Sequence, residues 1–214
     1  MTDARAAIVR DLEPVRPLRC PSVRALALAP LALAIVVSVP TLHFLRSDIQ
    51  AIGFVRAWGF SMAQAIAGLV IVAAALRESI PGRTLSRGAL IAIVAGGLAL
   101  PPVVVLLTAS PFDVSAHERW VVGLACFRTS AIAAVPALLM SSILVARAFP
   151  LRPAMTGALY GLGCGLIADA GLRLWCEFST PQHVLLAHGG AIVASMVAGA
   201  LVATVVASGS SRTR

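Results

Sequence analysis

LRPAMTGALYGLGCGLIADAGLRLWCEFSTPQHVLLAH, residues 151–188, decides how the whole chain is read. Pro153 suits the start of a helix, and about twenty mostly apolar residues follow, the length that crosses ~30 Å of hydrocarbon. At 3.6 residues per turn, Gly165, Asp169, Leu172, Arg173 and Cys176 share one face, which continues the stripe Gly157, Gly161, Gly165. One side of one helix is therefore expected to offer a close-packing surface in its first half and an acid, a base and a thiol in its second. A helix facing only lipid has no use for that polar trio, so the face is expected to turn inward.

Composition agrees. The chain has 214 residues, 59% of them hydrophobic and 12% charged. A soluble domain carries about 25% charged residues, so the bilayer is the expected solvent. The net charge is +8, and all 17 basic residues are arginine, scattered between long apolar runs. No basic stripe interleaved with aromatics is present, which argues against direct nucleic-acid binding. Four cysteines without a CxxC pair argue against a zinc finger.

Six apolar segments of spanning length are expected at 25–45, 58–76, 88–108, 121–146, 154–172 and 184–207. The fold class is thus all-α: a polytopic membrane protein built as a bundle of six transmembrane helices. A tail at 1–24 precedes the membrane domain at 25–207, and a short tail at 208–214 follows it. Pro30, Pro101, Pro102 and Pro136 read as kinks that neighbouring helices accommodate. With the amino end inside, the inner segments hold twelve arginines and the outer ones five. The positive-inside rule then puts both termini in the cytoplasm.

That orientation collects His43, His117, His183, His188, Cys126 and Cys176 at or near the outer face. The short segment 147–153 makes the fourth and fifth helices antiparallel neighbours. From Ala146 back to Cys126 is roughly 30 Å of helix, and from Pro153 to Cys176 roughly 34 Å, at 1.5 Å per residue. The two sulfurs are therefore expected at similar height on adjacent helices, as a disulfide or a reactive dithiol, with a pair of buried structural thiols as the bland alternative. Asp169 and Arg173, one turn apart, read as an internal ion pair, and with His188 they form a supporting polar cluster beside the thiols. Cys126, Cys176 and His188 are also ligand types that suit a soft metal; spacing alone specifies no metal, and no cofactor is expected. His43 and His117 read as ordinary interface residues, and Gln64 as a lone polar side chain in a span. The motif Gly157-xxx-Gly161-xxx-Gly165 reads as helix packing.

From residue 120 onward the chain resembles the NrsF family of bacterial inner-membrane anti-sigma factors. The resemblance rests on CFR at 126–128, VPALL at 135–139, PLRPAMTGALYGL at 150–162, GLRLWC at 171–176 and PQHVLLAH at 181–188. DLEPVRPL at 11–18 resembles the family's amino-terminal motif. The resemblance implies six spans and a non-enzymatic role: holding an extracytoplasmic-function sigma factor inactive at the bacterial inner membrane. It implies that Cys126 and Cys176, on the periplasmic side, sense heavy-metal or oxidative stress. It also implies that the tail binds the sigma factor, through Ile8, Asp11, Leu12, Pro14, Val15, Arg16, Pro17 and Leu18. Two other classes compete. A membrane thiol oxidoreductase needs a CxxC or quinone site, and a small transporter needs a polar path, for which only Gln64, Cys164 and Asp169 qualify.

Overall fold

The computed structural model describes residues 17–108, 116–148 and 150–212. These are helical apart from turns and short connections, without strands. Six helices are long and apolar enough to cross a membrane: Pro21–His43, Phe54–Glu78, Arg87–Leu107, Trp120–Ala146, Pro153–Leu172 and Pro181–Gly209. Large apolar side chains such as Val55, Ile66, Leu106 and Val205 remain exposed around the bundle. A bilayer solvates such side chains as readily as a protein core does.

The expected number of spans holds, with changes at their ends. The first span is not a single kinked helix: Pro21–Leu26 and Ala29–His43 are separate pieces with a turn between them. Pro30 falls in the first turn of the second piece, where a missing N–H costs nothing. Pro40 lies inside that helix. Pro101, Pro102 and Pro136 are each carried within an unbroken helix.

The fifth span is the axis of the molecule. In its most apolar stretch 89% of residues are buried by protein, against 28–44% for the other five spans. Its sequence explains why. Glycine and alanine project almost nothing, so partner backbones approach directly. A Cβ at Gly157 would strike the carbonyl of Gly199, and one at Gly161 the carbonyl of Ser195 and the Cα of Met196. At Gly165 a Cβ would sit 3.0 Å from the Cα of Ile192. That stripe seats the sixth span. A second approach, Gly163 against Gly68, seats the second span, and Gly171 lies against Ile35 and Val36 of the first. Tyr160 is fully buried where the fifth and sixth spans cross, and its hydroxyl donates to the carbonyl of Gly199 at 2.9 Å.

Each end of the bundle is tied by polar contacts. At one end, the buried Glu78 accepts from the Leu85 backbone N–H at 2.5 Å and faces Arg152 at 3.7 Å. Nearby, the Arg24 guanidinium donates to the carbonyl of Leu144. At the other end, Arg46 holds Asp48 at 2.5 Å, the Ser47 hydroxyl donates to Glu177 at 2.5 Å, and the Arg46 N–H meets the carbonyl of Leu174 at 3.0 Å. This second end holds the cysteine pair.

The close approach at Gly161 can be tested against an open position. Gly161→Ala should destabilise the bundle by about 1–3 kcal/mol, the usual range for an overpacked contact. Gly96→Ala, where a Cβ would meet nothing within 4 Å, should leave stability unchanged or slightly raised. Thermal unfolding in detergent reads both.

Candidate functional site

The fifth span ends at Leu172, as expected, but the helical face expected to run on to Cys176 does not continue past it. The chain continues through a turn at 173–175, with the Cys176 N–H still bonded to the carbonyl of Leu172 at 2.8 Å. The single helical face expected from Gly165 to Cys176 is therefore interrupted: Asp169 lies on the helix, while Arg173 caps it and Cys176 lies past the turn. That turn leaves Cys176 buried but outside the spanning segments.

Cys126, from the fourth span, meets Cys176 here. The two sulfurs are 3.5 Å apart, both side chains are buried, and both cysteines are free thiols. On the other side of Cys176 the Nε2 of His183 lies 3.2 Å from the sulfur. The Cys126 thiol donates to Cys176, and that bond, with the His183 contact, holds the Cys176 thiol well below its ordinary pKa; burial pulls the opposite way. Of the two thiols, Cys176 is thus the one biased towards the thiolate.

Behind the sulfurs lies a fully buried carboxylate. Asp169 Oδ1 accepts from His188 Nδ1 at 2.5 Å, and Oδ2 accepts from Gln64 Nε2 at 2.8 Å. Arg173 Nε faces Oδ2 at 3.7 Å. The expected Asp169–Arg173 ion pair is present, but Asp169 serves three partners from the second, fifth and sixth spans. Gln64, read as a lone polar side chain, is one of them, and it also donates to the carbonyl of Leu166 at 3.2 Å.

His183 enters through a local change of helix winding. Residues Val184–Gly189 form a π-helix at the start of the sixth span. In an α-helix two residues five apart diverge by about 140°. The wider i→i+5 winding brings them close to alignment, and the His183 and His188 rings lie edge to face with centroids 5.2 Å apart. Periodicity gives no sign of a π-turn; the only signal was His-x4-His beside a proline. His43 stacks on Trp175 at 4.7 Å and so braces the turn. The His117 side chain lies outside the described residues.

The remaining residues divide simply. Cys164 is buried mid-span beside the Ser141 hydroxyl at 3.4 Å, and Cys20 is exposed at the opposite end of the bundle. Pro17 and Leu18 are exposed and non-helical. Ile8, Asp11, Leu12, Pro14, Val15 and Arg16 lie outside the described residues.

A family model described as NrsF, negative regulator of sigma F, matches residues 8–207. The chain belongs to the NrsF family. The match takes in five of the six membrane-length helices, the sixth up to residue 207, and both members of the cysteine pair. The family description implies a sigma factor as partner and negative regulation as the role. Among curated proteins and among solved structures nothing matches this chain.

The contrast between the two thiols is measurable. In a Cys20→Ser, Cys164→Ser background, alkylation by iodoacetamide should reach half its maximal rate at a pH below the ~8.5 of a free thiol. Adding Cys126→Ser removes the donated bond and should move that midpoint upward. An unchanged midpoint would show that Cys126 does not bias its neighbour.

Proposed function

We propose that this NrsF protein holds an extracytoplasmic-function sigma factor inactive at the bacterial inner membrane and releases it when Cys126 and Cys176 react with an oxidant or a thiophilic metal. The observation that carries the sensor half is the buried sulfur pair, 3.5 Å apart, with an imidazole 3.2 Å from one member. The excess of arginine near one side of the bundle supports a cytoplasmic position for both termini, and hence a periplasmic position for the pair.

The oxidative step uses only these two side chains and a peroxide. The Cys176 thiolate attacks one peroxide oxygen, which gives a sulfenic acid and, after protonation, one water. The Cys126 thiol then displaces the sulfenic oxygen as a second water. Two thiols and one hydrogen peroxide become one disulfide and two waters. Forming the bond requires the sulfurs to approach by about 1.5 Å from their 3.5 Å separation. Because Cys126 rides on the fourth span and Cys176 follows the fifth, that approach moves the two helices against each other.

The amino-terminal tail is the proposed arm on the sigma factor. Ile8, Leu12, Val15 and Leu18 supply an apolar series, and Arg10, Arg16 and Arg19 supply positive flanks. A segment that orders on binding gives an affinity modest enough to be switched. The inner-loop arginines Arg77, Arg83, Arg87, Arg147 and Arg152 extend the same positive surface.

Co-purification with an extracytoplasmic-function sigma factor of the same organism tests both halves. Deleting residues 1–18 should abolish capture, whereas Cys126→Ser and Cys176→Ser should preserve it. Hydrogen peroxide should lower bound sigma factor at least tenfold for the unaltered protein and leave both serine variants loaded. Retained capture without the tail refutes the arm, and release from the serine variants refutes the sensor.

A further inference from the structure

Four ligand-type atoms converge at the cysteine end: the sulfurs of Cys126 and Cys176 and one ring nitrogen each from His183 and His188, all within 4.8 Å of one another and all from buried residues. We infer that these four residues form a tetrahedral S2N2 site for a closed-shell thiophilic divalent cation, Zn2+ or Cd2+, with Asp169 as the positioning residue for His188.

The spacing fits the ion. Zinc binds sulfur at about 2.3 Å and imidazole nitrogen at about 2.0 Å, which sets tetrahedral ligand atoms roughly 3.3–3.8 Å apart. Cys126 to Cys176 is 3.5 Å and Cys176 to His183 is 3.2 Å. The widest pair, at no more than 4.8 Å, needs roughly 1 Å of closure to reach that spacing.

A second observation comes from His188 itself. The ring is fully buried, and its Nδ1 is held by Asp169 at 2.5 Å. An ionised carboxylate only accepts, so Nδ1 carries a hydrogen, and in the neutral imidazole, the form that ligates a metal, Nε2 then carries the lone pair. That Nε2 is buried and has no hydrogen-bond partner among the described residues. A buried acceptor is normally satisfied; this one is the nitrogen of His188 left to serve the cluster. A histidine fixed through its far nitrogen by a carboxylate is the outer-shell arrangement that orients metal ligands and raises their basicity. Gln64 fixes the other carboxylate oxygen in turn.

Charge and access agree. Two thiolates neutralise a divalent cation, while Asp169 and Arg173 neutralise each other, so the loaded site adds no net charge to a low-dielectric interior. His183 also lines a cavity of about 800 Å3 between Trp120, Leu124 and Phe127 of the fourth span and Gln182 and Leu186 of the sixth. The cavity brings open space up to His183, at the edge of the cluster. Site selection follows ligand softness: thiolate with imidazole favours zinc-like ions over magnesium or calcium.

The inference deepens the sensor reading of the proposed function and shares its cysteines, yet its test needs no sigma factor. The full chain in detergent is titrated with Co2+, then with Zn2+. One Co2+ per chain should bind, with the intense visible bands and sulfur charge-transfer absorption of a tetrahedral thiolate site, and Zn2+ should displace it. Cys126→Ser or Cys176→Ser should abolish those bands. His183→Ala and His188→Ala should each weaken Co2+ binding at least tenfold, and Asp169→Asn by about 10–100-fold. X-ray absorption on the Zn2+-loaded unaltered chain should report two sulfur and two imidazole neighbours, which does not depend on any variant folding. Absence of Co2+ bands, a sulfur-only shell, or unchanged affinity in both histidine variants would overturn the inference. An S2N2 shell in a protein whose sigma factor ignores the metal would instead sink metal-triggered release and leave the site standing.

Discussion

An ionised carboxylate removed from water and placed inside a lipid-solvated bundle must be answered on every side. Asp169 is fully buried, and it is answered by an amide from the second span, an imidazole from the sixth and the guanidinium of Arg173 one turn along its own helix. Leaving such a charge uncompensated costs about 3–5 kcal/mol. Burying it therefore fixes three helices in one register. The cysteine pair is a consequence of that register: His188 reaches the sulfurs because Asp169 holds it, and Cys176 reaches Cys126 because the helix ends one turn later.

The glycine approaches make this possible. Gln64 can reach Asp169 only because Gly68 and Gly163 bring the second and fifth backbones together. His188 can do so only because Gly165 lets the sixth span lie against the fifth. Packing and electrostatics are here one design: small residues set the distance, and polar side chains use it.

Much of this was legible in the sequence, for physical reasons. Apolar runs of bilayer length announced six helices, and a glycine every fourth residue announced the tightest helix contact. Rise per residue put Cys126 and Cys176 at similar height, and the structure brings their sulfurs to 3.5 Å. Three features were not legible. Gln64 and Asp169 are 105 residues apart, and no local pattern links them. The π-turn that aligns His183 with His188 breaks the periodicity from which helix faces are read. The span's end at Leu172 was read, but the turn at 173–175 that carries Cys176 off the helical face is announced by no glycine or proline after Leu172; the His43–Trp175 stack braces it. The break before Pro30 was readable in principle, since a proline has no N–H to continue an earlier helix and suits the first turn of a new one.

The bare faces of the fifth helix carry one more consequence. Side chains that interlock lose rotamer freedom when they pack, by up to about 2 kcal/mol for the long ones, whereas glycine has none to lose. At its glycines the fifth helix therefore joins its neighbours with no side-chain entropy set against it. For the same reason its contacts have no torsions with which to soften a push: where the carbonyls of Ser195 and Gly199 lie against Gly161 and Gly157, a displacement at one end of the rod must travel as movement of backbone on backbone.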